Sequence, residues 1–366
     1  MTLRTALYDR HVALGAKMVE FGGWEMPLQY TGIIDEHRAV RERAGLFDLS
    51  HMGEIWVTGT AAGEALAYAL VTDPPRLAIG RAHYSMLCTP EGGIIDDLIV
   101  YRVGEHRFLV VPNAGNAAAV ADALRARVAG FEAATDDVSL RTSLIAIQGP
   151  LARGILAPLT DVDLDTLRYY AITEGEAAGA PAFVARTGYT GEDGFELFID
   201  WDAAPDVWDR LLAAGAPAGL QPTGLGARDS LRLEAGMALY GNELDRDTTP
   251  MEAGLDRLVR FDKPGDFVGR AALEKARDAG PRKRLVGLVM RDRGIARHGY
   301  PVHLPGAAAP CGVVTSGTLS PTLGEAIAMA YVPMPASAIG TMVEVAVRTS
   351  RVPAEVVPLP FYKRSP

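Results

Sequence analysis

Two adjacent carboxylates inside an apolar run are the sharpest chemical anomaly in the sequence. The run reads Gly92-Gly93-Ile94-Ile95-Asp96-Asp97-Leu98-Ile99-Val100-Tyr101. Its β-branched content between glycines and a tyrosine predicts a strand, and side chains alternate between the faces of a strand. Asp96 then shares a face with Ile94, Leu98 and Val100, and Asp97 with Ile95, Ile99 and Tyr101. Both faces are apolar, so at least one carboxylate is drawn toward the interior. Desolvation there raises a carboxyl pKa, whereas a cation or several N–H donors lower it; either makes a proton handler or a charge stabiliser. The competing reading is a capping or turn-binding aspartate. On the residues alone that structural reading outweighs the catalytic one, because such carboxylates are common in folded proteins.

Three further clusters could do chemistry. In Gly224-Leu225-Gly226-Ala227-Arg228-Asp229-Ser230-Leu231-Arg232-Leu233-Glu234 a helix would set Arg228 and Arg232 one turn apart, offering guanidinium groups to a carboxylate. A solvated charged face, with Asp and Glu as local partners, is the competing expectation. In Arg186-Thr187-Gly188-Tyr189-Thr190-Gly191-Glu192-Asp193-Gly194-Phe195-Glu196, Tyr189 could stack on a flat ring and Glu196 could accept two hydrogen bonds from an amidine-like edge. Turn chemistry alone also accounts for those glycines. His51, in Ser50-His51-Met52-Gly53-Glu54, could serve as a general base, against the commoner role of a hydrogen-bonded structural histidine. The sequence holds neither a G-x-G-x-x-G fingerprint nor a P-loop, which argues against FAD, NAD or ATP bound by those routes.

The elements that must position these groups alternate along the chain. β-branched or aromatic runs at 54–57, 94–101, 108–111, 144–147 and 195–199 predict strands. Alanine-rich stretches at 34–43, 61–70, 116–128 and 205–214 predict helices. In the last of these Pro205 suits the first turn, and Val207, Trp208, Leu211 and Leu212 form one apolar stripe that reads as core packing. After a charged helix at 272–278, Gly280-Pro281-Arg282-Lys283-Arg284 is the most linker-like stretch. Beyond it, runs at 285–290, 312–314, 326–332 and 342–347 predict a small β-barrel or jelly roll. The expected division is 1–279 and 284–366.

The whole chain bounds the partners. With 366 residues it exceeds a single core, and 48% hydrophobic with 22% charged residues is a folded composition. A formal net charge of −9 argues against general binding to nucleic acid or an anionic membrane, so an acidic partner would need a local basic patch. Cys88 and Cys311 lie in no Cys/His ligand pattern, which argues against zinc and a disulfide scaffold. The opening residues lack a signal-peptide core and no run approaches the ~20 apolar residues of a spanning helix, so the expectation is a cytoplasmic enzyme.

Taken together and in order, these clusters resemble the aminomethyltransferase, or T protein, family of the glycine cleavage system. The resemblance is carried by Phe21-Gly22-Gly23-Trp24-Glu25-Met26-Pro27-Leu28, by Gly45-Leu46-Phe47-Asp48-Leu49-Ser50-His51-Met52-Gly53-Glu54, and by the runs at 92–98, 186–196 and 224–236. Thr315-Ser316-Gly317-Thr318-Leu319-Ser320-Pro321-Thr322-Leu323-Gly324 completes it. What it implies is an α+β, three-lobed cloverleaf: two interleaved antiparallel-sheet lobes with helices over 1–279, then a C-terminal β-barrel. It implies transfer of the methylene carbon of an aminomethyl group, carried on the lipoyl sulfur of the H protein, to tetrahydrofolate, with ammonia and methylenetetrahydrofolate as products and no metal or redox cofactor. Asp97 is the implied catalytic carboxylate, with Asp96 the weaker candidate. Glu196 would bond the aminopyrimidine edge of the pterin; Tyr84, Tyr169 and Tyr189 would pack on the ligand; Asn113 would add a polar contact; Arg228 and Tyr362 would face the glutamyl end. A basic patch that includes Arg282, Lys283, Arg284 or Lys363 is expected to meet the lipoylated H protein.

Two rival readings share the fold. One is a folate-dependent demethylase, or the folate module of dimethylglycine and sarcosine oxidising enzymes, which usually carry a flavin domain. The other is a non-catalytic folate-binding factor for iron–sulfur or tRNA-modifying enzymes. That class carries a Lys-Gly-Cys-Tyr type motif where this chain reads Met237-Ala238-Leu239-Tyr240-Gly241-Asn242-Glu243, without a thiol.

Overall fold

The strand expected to carry the paired carboxylates runs over Ile94–Gly104. Its start is held by close approach of backbone. A Cβ on Gly93 would stand 1.8 Å from Arg246 O, and the Ile94 N–H donates to Asp245 O and Thr248 O, both at 3.1 Å. Only glycine fits at that position. The strand is the second of five in the order Arg81–Cys88, Ile94–Gly104, Arg107–Pro112, Ile55–Thr58 and Ala134–Asp137.

The computed structural model describes residues 2–364, and the chain divides into two compact units. The first runs through Leu87 and resumes over Asp97–Arg228; the second takes Cys88–Asp96 and everything from Asp229 onward. Besides most of the five-stranded sheet, the first unit holds a six-stranded sheet. Its order is Ile172–Ala177, Ala180–Ala185, Gly194–Asp200, Thr142–Gln148, Gly45–Asp48 and Gln221–Pro222, antiparallel except for the last pair. A small sheet of Leu3–Arg4, Trp24–Gln29 and Lys17–Phe21 completes the unit.

Helix Ala204–Gly215 covers the six-stranded sheet as its apolar stripe predicts. Val207, Trp208 and Leu211 are at most 1% exposed and pack in one cluster with Ile145, Ile147, Phe195 and Leu197 of the sheet. Each such side chain stabilises the fold by roughly 1.5–3 kcal/mol. Asp200 caps the approach to this helix by accepting from the Asp202 N–H at 2.9 Å.

In the second unit the texture change after residue 280 becomes a closed antiparallel barrel of six strands. They follow in the order Lys283–Met290, Ala326–Pro333, Gly312–Leu319, Pro301–His303, Met342–Val347 and Ser350–Val357. Its core is valine- and alanine-rich, with Val302, Val343, Val345 and Ala354 wholly buried. Small β-branched residues at every second position suit the narrow interior of a six-stranded barrel. Residues 229–279 pack within this same unit: Tyr331 OH donates to Glu243 O at 2.8 Å and Leu285 N–H to Glu252 O at 3.0 Å. No helix among the described residues is long and apolar enough to cross a membrane.

Candidate active site

Strand order decides what surrounds Asp97. From the neighbouring strand Arg81–Cys88, the Tyr84 hydroxyl donates to Asp97 Oδ2 at 2.8 Å. On the opposite flank, just past Arg107–Pro112, Asn113 donates through Nδ2 to Asp97 Oδ1 and to its main-chain oxygen, both at 2.9 Å. Each carboxylate oxygen thus has a neutral donor from a different flank of the strand, which sets the rotamer. Burial, with the Asp97 charge second, pushes the Tyr84 phenol well above its ordinary value of 10, so it stays a donor at working pH. Both acids of the pair are buried, where at least one was expected; Asp96 falls in the second unit, where it adds to the burial that raises the Tyr240 phenol.

The glycine-punctuated run 186–196 forms a loop leading into Gly194–Asp200 and is tied down at both ends. Arg41 donates to Thr190 O (2.7 Å) and Glu192 (2.8 Å), and Arg186 forks onto Asp193 at 2.9 and 2.6 Å. A Cβ on Gly188 would fall 2.0 Å from Gln148 Oε1, so a side chain there would displace the Gln148 amide. The loop holds Tyr189 under the Arg228 guanidinium, 4.6 Å from its ring centroid, a contact typically worth ~0.5–2 kcal/mol.

Glu196 is half-buried and accepts from Thr187 Oγ1 and, at 3.3 Å, from Tyr101 OH. Burial raises its carboxyl above the usual range, while Thr187, the Arg228 charge and Tyr101 pull it back. Arg228 therefore acts electrostatically on Glu196 and stacks on Tyr189, and the structure brings these three expected residues together.

Tyr169 is exposed and sits edge-on to Tyr170, with ring centroids 4.9 Å apart. Tyr170 lies closer to the other groups. Its phenol is raised by burial, then by Tyr169 and the Glu196 charge, and its backbone joins two strands: Ala82 N–H donates to Tyr170 O and Tyr170 N–H to Arg186 O, both at 2.9 Å. Tyr362 lies in the second unit, where its N–H donates to Glu234 O at 2.8 Å.

Two sequence readings change. His51 is 1% exposed and neither ring nitrogen has a hydrogen-bond partner among the described residues. Burial, with Arg228 second, lowers its pKa to about 3, so it is a poor general base near neutrality and is not the hydrogen-bonded structural histidine of the alternative. Arg232 is no solvated charge. It is 1% exposed and bonds Glu243 (2.8 Å), Ser316 (2.8 Å), Asp229 (2.7 Å) and Met237 O (3.1 Å), all within the second unit. Sequence reasoning passed over Tyr101, Thr187 and Tyr170. The signal for Tyr101 was present, since it stands four residues beyond Asp97 on the same strand face.

Chemically, the first unit offers an oriented carboxylate, a second carboxylate flanked by hydroxyls, a guanidinium and several aromatic faces. That set suits a flat ligand with N–H donors along one edge and an anionic end. Among the described residues no group of three or more His, Cys, Asp or Glu side chains could hold a metal ion.

The family model described as GCVT N-terminal domain matches residues 7–263, and the one described as glycine cleavage T-protein C-terminal barrel domain matches residues 283–363. The chain belongs to the glycine cleavage T-protein family. The aminomethyltransferase of Saccharopolyspora erythraea is 56% identical over 362 residues, covering 99% of this chain and 98% of its own. That of Streptomyces avermitilis is 56% identical over 364 residues, covering 98% of this chain and 97% of its own. The crystal structure of glycine cleavage system aminomethyltransferase T from Bartonella henselae matches with a TM-score of 0.93 at 38% identity, covering 99% of both chains. This T-protein family member is an aminomethyltransferase, and the demethylase and non-catalytic readings give way. The α+β architecture with a C-terminal barrel is the family's own, and folate binding in general comes with membership.

Proposed function

We propose that Asp97 is the group of this aminomethyltransferase that meets the reacting nitrogen of tetrahydrofolate, with the pterin edge on Glu196 and the glutamyl end toward Arg228. The donor is an aminomethyl group on the lipoyl sulfur of the H protein. Two folate N–H groups become bonds to the methylene carbon, the C–N and C–S bonds of the donor break, and the two protons leave with ammonia and the dihydrolipoyl thiol. The observation that carries the reading is the carboxylate of Asp97 held by Tyr84 of one neighbouring strand and by Asn113 just past the other. An acid so fixed costs no reorientation as positive charge builds on the iminium-like carbon, and it can pass a proton from the attacking nitrogen.

Tyr84, Tyr169 and Tyr189 offer ring faces to the ligand and Asn113 a polar contact; Tyr362 enters the proposal from the family resemblance. For the carrier, support lies in Arg282, Lys283, Arg284 and Lys363, a cationic set in a chain of net charge −9. Association with the lipoylated H protein is then expected to weaken as salt rises, and salt-insensitive association contradicts that docking face. Along the chain we propose a division between 1–279 and 284–366, distinct from the two compact units, since residues 229–279 pack in one unit with the barrel. It is supported by the end of helix Arg270–Ala279 before Gly280 and the start of the barrel at Lys283, and limited proteolysis within 280–283 tests it. For the reaction itself, this chain is mixed with glycine and the other cleavage-system proteins. Ammonia release that depends on tetrahydrofolate supports the reading, and release indifferent to folate contradicts it.

A further inference from the structure

Tyr101 is 1% exposed, and its ring stands edge-on to Phe198 at 5.6 Å, two residues beyond Glu196 on Gly194–Asp200. Its hydroxyl lies 2.9 Å from Thr187 Oγ1 and donates to Glu196 Oε2 at 3.3 Å, while Thr187 Oγ1 donates to the same oxygen. Thr187 is itself fixed, because Gln148 Nε2 donates to its carbonyl at 3.0 Å and Gln148 Oε1 accepts from Thr190 Oγ1 at 3.0 Å. Gln148 and Thr187 are 1% and 3% exposed, so water competes little for these bonds. Both hydroxyls face Oε2: Thr187 gives it its proton directly, and the single proton of Tyr101 is shared between Thr187 Oγ1 and that oxygen.

We infer that Tyr101 and Thr187 are positioning residues that tie Glu196 down through Oε2, so that it meets its ligand through Oε1 alone. This rests on the folate reading of Glu196 and sharpens it: the aminopyrimidine donors gather on one oxygen and do not span both. The same two hydroxyls favour the ionised form, which burial opposes. Together with the Arg228 charge, which acts in the same direction, they set the pH below which the carboxylate is lost as an acceptor. Tyr101 carries its part of this clamp on the strand that bears Asp97, so one strand holds one acid and helps to orient the other.

The test is steady-state kinetics of the full chain with the other cleavage-system proteins, varying tetrahydrofolate from pH 5 to 9. Thr187→Val is expected to raise KM for tetrahydrofolate roughly tenfold with kcat within about twofold, and to move the acidic limb of kcat/KM to higher pH. Thr187→Ser keeps the hydroxyl and restores both. Tyr101→Phe removes one oxygen and should give the same limb shift in smaller measure, which serves if the valine variant does not fold. Glu196→Gln is the reference. If it raises KM while Thr187→Val and Tyr101→Phe leave KM and the acidic limb unchanged, the clamp is wrong and the reading of Glu196 stands. If Glu196→Gln itself changes neither, the folate reading of this carboxylate falls and the clamp with it.

Discussion

Glu196 in the first unit and Glu243 in the second are both carboxylates bonded by hydroxyls, and they differ in what is left over. Glu243 takes Arg232 Nη1 at 2.8 Å and Leu239 N–H at 2.9 Å on Oε2, and Ser316 Oγ at 2.6 Å on Oε1. Both of its oxygens are occupied and a buried guanidinium balances its charge. Glu196 takes two hydroxyls on one oxygen, and burial pushes its carboxyl up. Glu36 in the first unit follows the Glu243 pattern: Oε1 accepts from the N–H groups of Tyr30, Thr31 and Gly32, and Oε2 from that of Gly224. Backbone N–H groups or a guanidinium tie Glu243 and Glu36 into the fold, whereas Glu196, with two hydroxyls facing one oxygen, and Asp97, held by the neutral side chains of Tyr84 and Asn113, are the carboxylates proposed to meet a ligand.

If that distinction holds, changes in the first unit's site should alter chemistry or binding, and changes at the saturated pair should alter stability. Asp97→Asn should lower turnover by roughly 10²–10⁴-fold while tetrahydrofolate still binds, since the shape survives and the charge does not. Kinetics beside a binding titration check this, and unchanged turnover breaks the comparison at its strongest point. Arg232→Met strands the buried charge of Glu243 and should cost about 3–5 kcal/mol in urea unfolding. A loss below about 1 kcal/mol would mean that Arg232 is not structural.

A smaller effect is expected at Arg228, whose removal should weaken tetrahydrofolate binding by about tenfold or more and lower the saturated rate less. Equal affinity by calorimetry would make this arginine structural, like Arg232. Glu54, also in the first unit, is a buried carboxyl of a third kind. It is 0% exposed, neither carboxyl oxygen has a partner among the described residues, and burial, with Asp137 second, raises its pKa well above 4.5. The folded state then holds this proton more tightly than the unfolded chain does. Its contribution is full below the unfolded value and is lost as pH rises through the folded one. Glu54→Gln should therefore raise the thermal midpoint at pH 8 by roughly 2 °C and change it little near pH 4. A midpoint shift equal at both pH values contradicts a protonated Glu54.

Legibility followed the range of the interactions. Strand 94–101 and helix 205–214 were readable because their patterns are local, and the observed Ile94–Gly104 and Ala204–Gly215 differ only at the ends. Pro301–His303 and Ser350–Val357 were not read, since one is three residues long and the other begins in charged and proline-bearing sequence that only barrel closure makes a strand. In the site, periodicity could place Arg228 and Arg232 on one helix but could not tell them apart. The partners that bury Arg232 stand 11 and 84 residues away. Asp97 was visible as an acid among apolar residues, and its oriented state was not, because Tyr84 and Asn113 reach it only through strand pairing.

The most direct measurement is a crystal structure of this protein with tetrahydrofolate bound. An Asp97 carboxylate oxygen is expected about 3 Å from the nitrogen that joins the pterin to the benzoyl ring. A carboxylate directed away from the ligand, or a ligand lodged elsewhere with Asp97 still wholly engaged by Tyr84 and Asn113, would contradict it.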